Sequence, residues 1–386
     1  MTEGVVKVLF VVNSLIFGGA EKHVVTLLNH LDGRRFRCSL VYLKNETALL
    51  GQIDHDKLAG DALCVQVRSR FDVGALRRLA SIVREIEPDV VVATNTHSLV
   101  YSWLARRLAR SRAALVEVFH SSEVHTLKGR LLMHFYRPIF AACDALVYVC
   151  RNQHAYWRAW GLRAREELVI HNGIDVAHFT AANDAAATAA LRAQYGIGNG
   201  DFVVGLCGGL RPEKAHTDLL KAIALLRARA LPVKALLIGD GILRGPIERE
   251  IAALGLQDDV LITGFTQDVR PLIACCNVMT LVSHTETFSL AALEAMSLAK
   301  PMIMSQVGGA DEQVTPGTNG FLFPRGDIGA LADAIEQTMV PARRQAMGAA
   351  ARQTVLDNFT LPTMARSFEQ LFAAQASMRP VHHGRP

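Results

Sequence analysis

Short apolar runs that alternate with helical patterns constrain the fold of this 386-residue chain more than any other feature. In the first half the runs are VKVLFVVN, SLVYL, DVVVATN, ALVEVFH and DALVYVC, and in the second half FVVGLCGGL, VKALLIGDG, VLITGF, VMTLVS and PMIMS. Strands that are apolar along their whole length are typical of parallel sheets covered by helices on both faces. Two such series predict an α/β protein with two Rossmann-like domains, and a chain of this length fits two domains.

The boundary between the two series lies at HNGID, which is followed by the Ala-rich stretch AANDAAATAALRAQYG. HNGID has the composition of a turn, with Gly173 at the position that needs an unusual backbone angle. We therefore expect a first domain over residues 1–172 and a second over residues 173–360. The segment LPTMARSFEQLFAAQ has a helical pattern, and the polar end SMRPVHHGRP is expected to fray.

Composition narrows the class of protein. Half of the residues are hydrophobic and a fifth are charged, which is ordinary for a globular protein. No apolar run is long enough to span a bilayer, and MTEGVVKVLFVV enters a strand-like run without a basic leader, so we expect no signal peptide and a cytoplasmic location. Seven cysteines without a C-x-x-C pair favour buried free thiols over disulfides or zinc.

Positive charge is concentrated in the first half of the chain. Residues 1–176 hold 23 Lys and Arg against 17 Asp and Glu, and residues 101–165 alone hold 11 against 3. Solvated helix faces would explain this excess, but the basic stretch is also partly apolar, as in TLKGRLLMHFYRPIF. We favour by a small margin peripheral contact with an anionic membrane surface. Nucleic acid is disfavoured because no nucleic-acid motif accompanies the charge.

The segment SHTETFSLAALEAMSLAKPMIMS carries the clearest candidate site. An apolar strand ends in a polar loop with Glu286, and an amphipathic helix follows that begins near Ser289 and Leu290 and contains Glu294. Open α/β sheets bind ligands at the carboxyl edge, and free amides at a helix start attract phosphate. The two acids can accept hydrogen bonds from hydroxyls, although Glu early in a helix is also favourable for dipole reasons alone.

A second candidate site follows the strand FVVGLC. Gly208 and Gly209 end this strand, and Arg211 and Lys214 stand before the next helix. Two cations beside a glycine turn suit a diphosphate, with Arg as a planar donor and Lys as a point charge. The pair supplies positive charge without a metal, and we predict no metal site; GDG in LLIGDGIL is interpreted as a structural turn that lines the site.

The first half offers weaker signals. Gly18 and Gly19 lie between the first strand and a helix, where glycine lets a ligand approach the backbone. The pattern is not G-x-G-x-x-G, which disfavours a dinucleotide site. His120 ends the strand ALVEVFH at the expected ligand edge, and Asn95 and His97 follow the preceding strand.

These motifs together resemble the retaining glycosyltransferases of family 4, which have the GT-B fold. The family pattern is close to E-G/T-F-x-L-x-x-L-E-A-M-x-x-G-x-P-V-I, then G-G-x-x-E and N-G-x-L. It is matched by Glu286, Phe288, Leu290, Leu293, Glu294, Ala295, Met296, Pro301, Gly308, Gly309, Glu312, Asn319 and Gly320. The family's G-R-L-x-x-E-K-G segment is matched by Gly209, Leu210, Arg211, Pro212, Glu213 and Lys214, and its G-G loop by Gly18, Gly19, Ala20 and Glu21. The departures are Thr287, Ser289, Asp311, and alanine in place of the usual glycine at Ala215 and Ala299.

The resemblance implies two Rossmann-like domains that face each other across a cleft, with the last helix, within residues 361–386, crossing back to the first domain. It implies metal-independent, retaining transfer of a sugar from a nucleotide diphosphate, with no other cofactor and UDP favoured over GDP, to a glycan or lipid-linked acceptor in cell-surface polysaccharide synthesis. Arg211 and Lys214 would bind the diphosphate, with Gly18, Gly19, Gly209 and the segment Phe288, Ser289 and Leu290 around it. Glu294 would bind the ribose and Glu286 the donor sugar. Gly264 and Phe265 would lie by the base, His120 by the sugar, and Asn95 and His97 on the acceptor side.

Three other functions remain as alternatives. A sugar-nucleotide 2-epimerase would share the phosphate contacts but would need acid and base groups around the sugar ring. A non-catalytic sugar-nucleotide-binding protein is disfavoured because both acids and both cations are intact. A nicotinamide dehydrogenase is suggested by the fold class alone and lacks the glycine fingerprint.

Overall fold

The structure is a computed structural model, and it describes residues 4–69, 71–124, 126–180 and 185–378. The chain divides into two compact units. The first consists of the chain up to Asn172 together with the segment that begins at Leu361, and the second is Gly173–Thr360. Each unit is built on one parallel sheet, so the two Rossmann-like sheets that the alternation predicts are confirmed.

The first unit contains a seven-stranded sheet in the order β3-β2-β1-β4-β5-β6-β7. Its strands are β1 (Val6–Val12), β2 (Phe36–Tyr42), β3 (Leu63–Cys64), β4 (Val90–Thr94), β5 (Ala114–Phe119), β6 (Ala145–Tyr148) and β7 (Glu166–Val169). The helices between them are α1 (Gly19–His30), α2 (Val73–Ile86), α3 (Asn95–Leu108), α4 (Leu127–Ala141) and α5 (Arg151–Ala159), with 3-10 turns at Leu50–Gln52 and His55–Lys57.

The second unit contains a six-stranded sheet in the order β10-β9-β8-β11-β12-β13. Its strands are β8 (Phe202–Cys207), β9 (Val233–Ile238), β10 (Val260–Gly264), β11 (Val278–Leu281), β12 (Met302–Ser305) and β13 (Gly320–Phe323). Its helices are α6 (Ala185–Gln194), α7 (His216–Ala228), α8 (Arg244–Ala253), α9 (Arg270–Cys275), α10 (Leu290–Ser297), α11 (Ala310–Gln313), α12 (Ile328–Thr338) and α13 (Pro341–Asn358), with a 3-10 turn at Pro212–Lys214.

The last helix, α14 (Leu361–Ser377), belongs to the first unit and completes one of its cores. Phe368 and Phe372 are fully buried in the cluster that also contains Phe10 of β1, and the rings of Phe10 and Phe372 meet edge to face at 6.0 Å. Alternate residues of β1 face opposite sides, since Phe10 lies in this cluster whereas Leu9 and Val11 lie in the core on the other face. Both faces of the sheet are therefore covered, as the continuous apolar strands predict.

Two further expectations can be compared with the structure. All seven cysteines are free thiols, and burial raises the pKa of Cys38 and of Cys276 to about 12. No helix in the described part of the chain combines the length and the apolar character needed to cross a membrane.

Candidate active site

The topology of the second sheet creates a crevice at the carboxyl ends of β8 and β11. The chain leaves β8 toward β9 on one side, while β11 pairs with β8 on the other side, so the strand order reverses between these two neighbours. A reversal of this kind opens a crevice at the carboxyl edge of an α/β sheet. The loop that follows β8 holds Arg211 and Lys214, and the loop that follows β11 holds Glu286. The two candidate sites predicted from the sequence therefore lie on either side of the crevice.

Glycine turns let the backbone segments at this edge pack closely against one another. A Cβ atom on Gly239 would lie 2.2 Å from the carbonyl oxygen of Gly208, and one on Gly241 would lie 2.6 Å from that of Leu210. Gly239 also forms a bridge with Gly264 at the end of β10. The turns after β8, β9 and β10 are thus packed backbone against backbone, which fits the interpretation of GDG as a structural turn.

Arg211 and Lys214 extend from this glycine platform. The Arg211 side chain is exposed and its Nε lies 3.4 Å from the position of a Cβ on Gly209, while the Lys214 chain passes 3.9 Å from that position on Gly208. Both cationic side chains therefore lie within van der Waals distance of the glycine turn. Lys214 ends a 3-10 turn whose next residue, Ala215, has a φ of 49°, a left-handed conformation that is costly for alanine.

The structure joins Lys214 directly to Glu286. Lys214 Nζ donates to Glu286 Oε2 at 2.5 Å, and the two side chains are 22% and 19% exposed. The loop that carries Glu286 is fixed from behind, because the Gly309 amide donates to the Thr287 carbonyl at 2.7 Å and a Cβ on Gly308, whose φ is 53°, would lie 2.2 Å from the Glu286 carbonyl oxygen. The glycine pair of the predicted motif therefore positions the acid.

Helix α10 begins beside this loop with part of its first turn available. Ser289 Oγ accepts from the Ala292 amide at 3.2 Å, and the Ser289 amide donates to the buried Gln313 side chain at 3.3 Å. The amides of Leu290 and Ala291, both half-buried, lie at the open end of the helix, where an anion is favoured. Sequence reasoning missed Gln313, which follows Glu312 in the quoted motif and whose side chain also donates to the Ser289 carbonyl at 2.9 Å.

Glu294 and Phe288 lie on either side of this helix start. Glu294 lies in the second turn of α10 and is 6% exposed. Phe288 is 4% exposed and meets the Phe359 ring edge to face at 5.3 Å, so it packs in the core of the unit. A carboxylate at this position can accept hydrogen bonds from ligand hydroxyls.

Gly264 and Phe265 lie two strands from the cation pair along the same edge. Gly264 has a φ of 79°, and Phe265 is 63% exposed. An exposed ring beside a crevice can stack on a flat ligand group.

His216, at the start of α7, was not singled out from the sequence. Its ring is buried, and neither ring nitrogen has a hydrogen-bond partner among the described residues. Desolvation, and then the charge of Lys214, lower its pKa to about 4, so the ring is neutral and adds no charge to the cation pair.

In the first unit Gly18 and Gly19 form the turn from β1 into α1. Gly18 adopts an extended conformation, and a Cβ on it would lie 2.3 Å from Oε2 of Glu21, so the absence of a side chain lets the Glu21 carboxylate approach the helix start. Gly19 has open space where its Cβ would be. The close approach of Glu21 explains why glycine is required at position 18.

His120 follows β5 at the carboxyl edge of the first sheet. Its amide donates to Asn95 Oδ1 at 3.0 Å, and Asn95 itself holds a left-handed φ of 65° at the end of β4. Its ring packs edge to face on the buried His23 ring, with centroids 4.9 Å apart. Although part of His120 is open to solvent, dense surroundings lower its pKa to about 4, so the ring is neutral at physiological pH.

Glu117, three residues before His120, is a fully buried acid that sequence reasoning did not single out. Burial raises its pKa well above the usual value, and the nearby Asn95 amide opposes that shift. Neither carboxyl oxygen meets the geometric limits of a hydrogen bond with a described residue. A neutral carboxyl is therefore expected in the folded chain.

Comparisons with known proteins identify the family of this chain. Residues 17–178 match the family model "Glycosyltransferase Family 4" and residues 188–354 match "Glycosyl transferases group 1". The chain is 26% identical to "Putative glycosyltransferase EpsD" of Bacillus subtilis, over 81% of this chain and 84% of the relative. It is 28% identical to "GDP-mannose-dependent alpha-(1-6)-phosphatidylinositol monomannoside mannosyltransferase" of Mycolicibacterium smegmatis, over 72% and 74%.

Solved structures share the fold along almost the whole chain. HepE of Anabaena in complex with UDP superposes with a TM-score of 0.82 at 23% identity, covering 95% of this chain and all of that one. The lipopolysaccharide outer core galactosyltransferase WaaB superposes with a TM-score of 0.72 at 18% identity, over 95% and 99%. The two family models, the fold and the shared motif residues lead to one conclusion: this chain is a GT-B-fold glycosyltransferase that belongs to the family 4 group.

Proposed function

We propose that this glycosyltransferase moves a sugar from a nucleotide diphosphate sugar, with retention of configuration, to a glycan or lipid-linked acceptor of cell-surface polysaccharide synthesis. The observation that supports this most is the carboxyl edge of the second sheet. There a cation pair, an acid that binds one of those cations, glycine turns and the start of α10 lie on neighbouring strands. Each group suits one part of such a donor.

The leaving diphosphate is assigned to Arg211, Lys214 and the first amides of α10. Its charge grows as the sugar bond breaks, and pre-positioned donors stabilise that charge more than they stabilise the ground state. Arg211 and Lys214 supply the positive charge that a divalent cation would otherwise supply, so we infer metal-independent transfer. A rate that is unchanged in excess EDTA supports this inference, and a rate restored only by added Mg²⁺ or Mn²⁺ contradicts it.

The acids are assigned to binding, which leads to the proposal of retention. Glu286 is paired with Lys214 and is assigned to the hydroxyls of the donor sugar, and the buried Glu294 to the ribose. With both acids occupied, no enzyme nucleophile is assigned, and the acceptor attacks from the face that the diphosphate leaves, with a phosphate oxygen taking its proton. His120, neutral because of its lowered pKa, donates a hydrogen bond to the sugar. The anomeric configuration of the product, read by NMR, tests this assignment: inversion would overturn it.

We expect UDP as the nucleotide because HepE of Anabaena was solved with UDP-glucose. GDP is the alternative, because the mannosyltransferase relative is named as GDP-mannose-dependent. A thermal-shift screen of UDP-, GDP-, ADP- and CDP-sugars tests the donor, because a ligand at about 100 times its Kd stabilises the folded state by about 2.7 kcal/mol. Lys214→Ala should abolish the shift, whereas Lys221→Ala, which removes an exposed lysine of α7, should not. A chain that responds to no sugar nucleotide contradicts the proposal.

We also propose that α4 rests on an anionic membrane surface. Leu127, Leu131 and Phe135 recur every fourth residue and are 82%, 63% and 70% exposed, so they form one apolar stripe on the helix. The helix contains Lys128, Arg130 and Arg137 and no acid. An exposed apolar stripe flanked by basic residues is typical of an interfacial helix.

Vesicle sedimentation tests this surface. The wild type should pellet with vesicles of phosphatidylcholine and phosphatidylglycerol, less so at high salt, and the double variant Leu131→Gln, Phe135→Gln should stay in solution. Ile242→Gln, which removes an 81% exposed apolar side chain from the second unit, is the matched control. Equal binding by the double variant would exclude α4 as the contact.

A further inference from the structure

The carboxyl edge of the first sheet contains a cavity of about 450 Å³, and His97 is the one lining residue to which a role was assigned above. It is lined by Asn13, Lys44, Val67, Arg68, Ser69 and His97. These residues follow β1, β2, β3 and β4, which are adjacent in the sheet, so the cavity lies where an open α/β sheet presents a ligand crevice. All of its lining residues belong to the first unit.

The charged side chains that line the cavity are all basic. Lys44 and Arg68 are both exposed at its wall, and the residues that line it include no acid. The carboxylate of the nearby Asp72 accepts two backbone hydrogen bonds, one from the Arg68 amide at 3.1 Å and one from the Ala75 amide at 2.9 Å. Those backbone hydrogen bonds, that of Ala75 first, lower the pKa of Asp72, so it stays ionised and both of its oxygens bind backbone amides.

The wall of the cavity is held in place by contacts that do not involve the two cations. His97 Nδ1 and Asn13 Oδ1 are 2.9 Å apart, and the His97 ring packs edge to face on buried Tyr101 at 5.1 Å. The loop that carries Arg68 is fixed by Arg78, whose guanidinium donates to the Val65 carbonyl at 2.6 and 3.0 Å. The two cationic side chains are therefore placed by a rigid frame and remain available to a ligand.

We infer that this cavity, the Lys44–Arg68 cavity, binds a phosphate group carried by the acceptor. A phosphate monoester carries a charge of about −1.5 to −2 at neutral pH, which matches the combined charge of the two cations. A carboxylate, with a single negative charge, would balance only one of them. Arg offers a planar fork to two phosphate oxygens, and Lys offers a point charge. The polar atoms of Asn13 and Ser69 suit hydroxyls next to that phosphate. The identification of the ligand as the acceptor rests on the proposed function. The inference that the cavity binds a phosphate group rests on its lining residues alone.

A binding experiment on the full chain tests the inference. UDP is first added to saturation so that the donor site is occupied, and glucose 1-phosphate or glucose is then titrated by calorimetry. A polyprenyl phosphate in detergent micelles forms a second arm that distinguishes a lipid source of the phosphate from a soluble one. The wild type should bind at least one of the two phosphorylated probes and should bind glucose at least tenfold more weakly.

The variants decide where the phosphate binds. Lys44→Gln combined with Arg68→Gln should lower the affinity for the bound probe by about tenfold or more, as expected for the loss of hydrogen bonds to a charged group, and should leave UDP affinity unchanged. Arg77→Gln, which removes an exposed cation of α2 outside the cavity, should have no effect. Phosphate binding that survives the double variant, or no binding of either probe, overturns the inference. A chain that does not bind UDP but loses phosphate binding in the double variant would instead reject the proposed function and keep the cavity.

Discussion

Replacing Glu286 by Gln should separate binding of the diphosphate from transfer of the sugar. In the free protein Glu286 holds Lys214 at 2.5 Å, and both side chains are about four-fifths buried. Lys214 is also the proposed partner of the diphosphate, so the acid and the ligand compete for one ammonium group. The amide keeps the shape of the side chain and removes the competing charge.

The magnitude follows from the geometry of this pair. Two unit charges about 4 Å apart attract by about 4 kcal/mol at an effective dielectric constant near 20, and desolvation offsets most of that gain. A net value of about 1 kcal/mol for a partly buried pair corresponds to an increase in UDP affinity of roughly fivefold. Loss of a charged acceptor for a sugar hydroxyl should cost about 1.5–3 kcal/mol, so kcat/KM should fall roughly 10- to 150-fold.

Titration calorimetry with UDP and initial-rate measurements with the donor found in the screen provide the two values. Glu213→Gln is the matched control. The Glu213 carboxylate is next to Lys214 in the chain but, among the described residues, Lys214 is ion-paired with Glu286 instead. The UDP affinity and the kcat/KM of this variant should stay near those of the wild type. If Glu286→Gln weakens UDP binding, Glu286 positions Lys214 and does not compete for it, and the reasoning is refuted.

Two other predictions concern the free energy of unfolding. Ala215 and Ala299 have left-handed φ angles of 49° and 54°, so glycine at either position should stabilise the fold by about 0.5–1 kcal/mol. Ala349→Gly, on the exposed face of α13, should instead destabilise the fold by about as much. Denaturant titration measures the sign of each change, and destabilisation by all three substitutions would show that the two backbone conformations are not strained. Glu117 has a raised pKa, so the folded chain retains a proton that the unfolded chain releases, and its contribution to stability falls as pH rises, by at most about 1.4 kcal/mol per pH unit. As the pH rises above about 4.5, where the unfolded carboxyl releases its proton, Glu117→Gln should lose less stability than the wild type, and parallel losses would show that the acid is ionised in the fold.

The sequence predicts all of the central strands and one edge strand, β10, but misses the other three edge strands. The three strands absent from the prediction, β3, β7 and β13, all lie at an edge of a sheet, and each is short and at most partly buried. An edge strand has one neighbour and less cover, so it can be short and need not be apolar along its whole length. The residues EELV of β7 illustrate this, because their two acids conceal a strand.

The site was predicted as a set of residues but not as a set of contacts. Lys214 and Glu286 are 72 residues apart, and nothing local to either one indicates that they pair. The departures from glycine at Ala215 and Ala299 were visible in the sequence, whereas the positive φ that explains the family's preference for glycine required the backbone. An acid within an apolar run, such as Glu117 in ALVEVF, is a signal that could have been used, since an ionisable side chain in a buried strand always requires an explanation.

The sequence indicated only His97 of the cavity beside Lys44 and Arg68, because the lining residues come from three separate loops and the first turn of α3. Each loop contributes one or two ordinary polar or basic residues. Their convergence is a property of the strand order β3-β2-β1-β4, which the alternation of strands and helices does not specify.

A crystal structure of the complex with UDP tests the central claim most directly. We predict that the diphosphate lies at the carboxyl ends of β8 and β11, with its oxygens within hydrogen-bonding distance of Arg211, Lys214 and the first amides of α10, and with the ribose hydroxyls on Glu294. A nucleotide bound elsewhere on the second unit, with those side chains still in contact with solvent or with one another, would contradict the assignment.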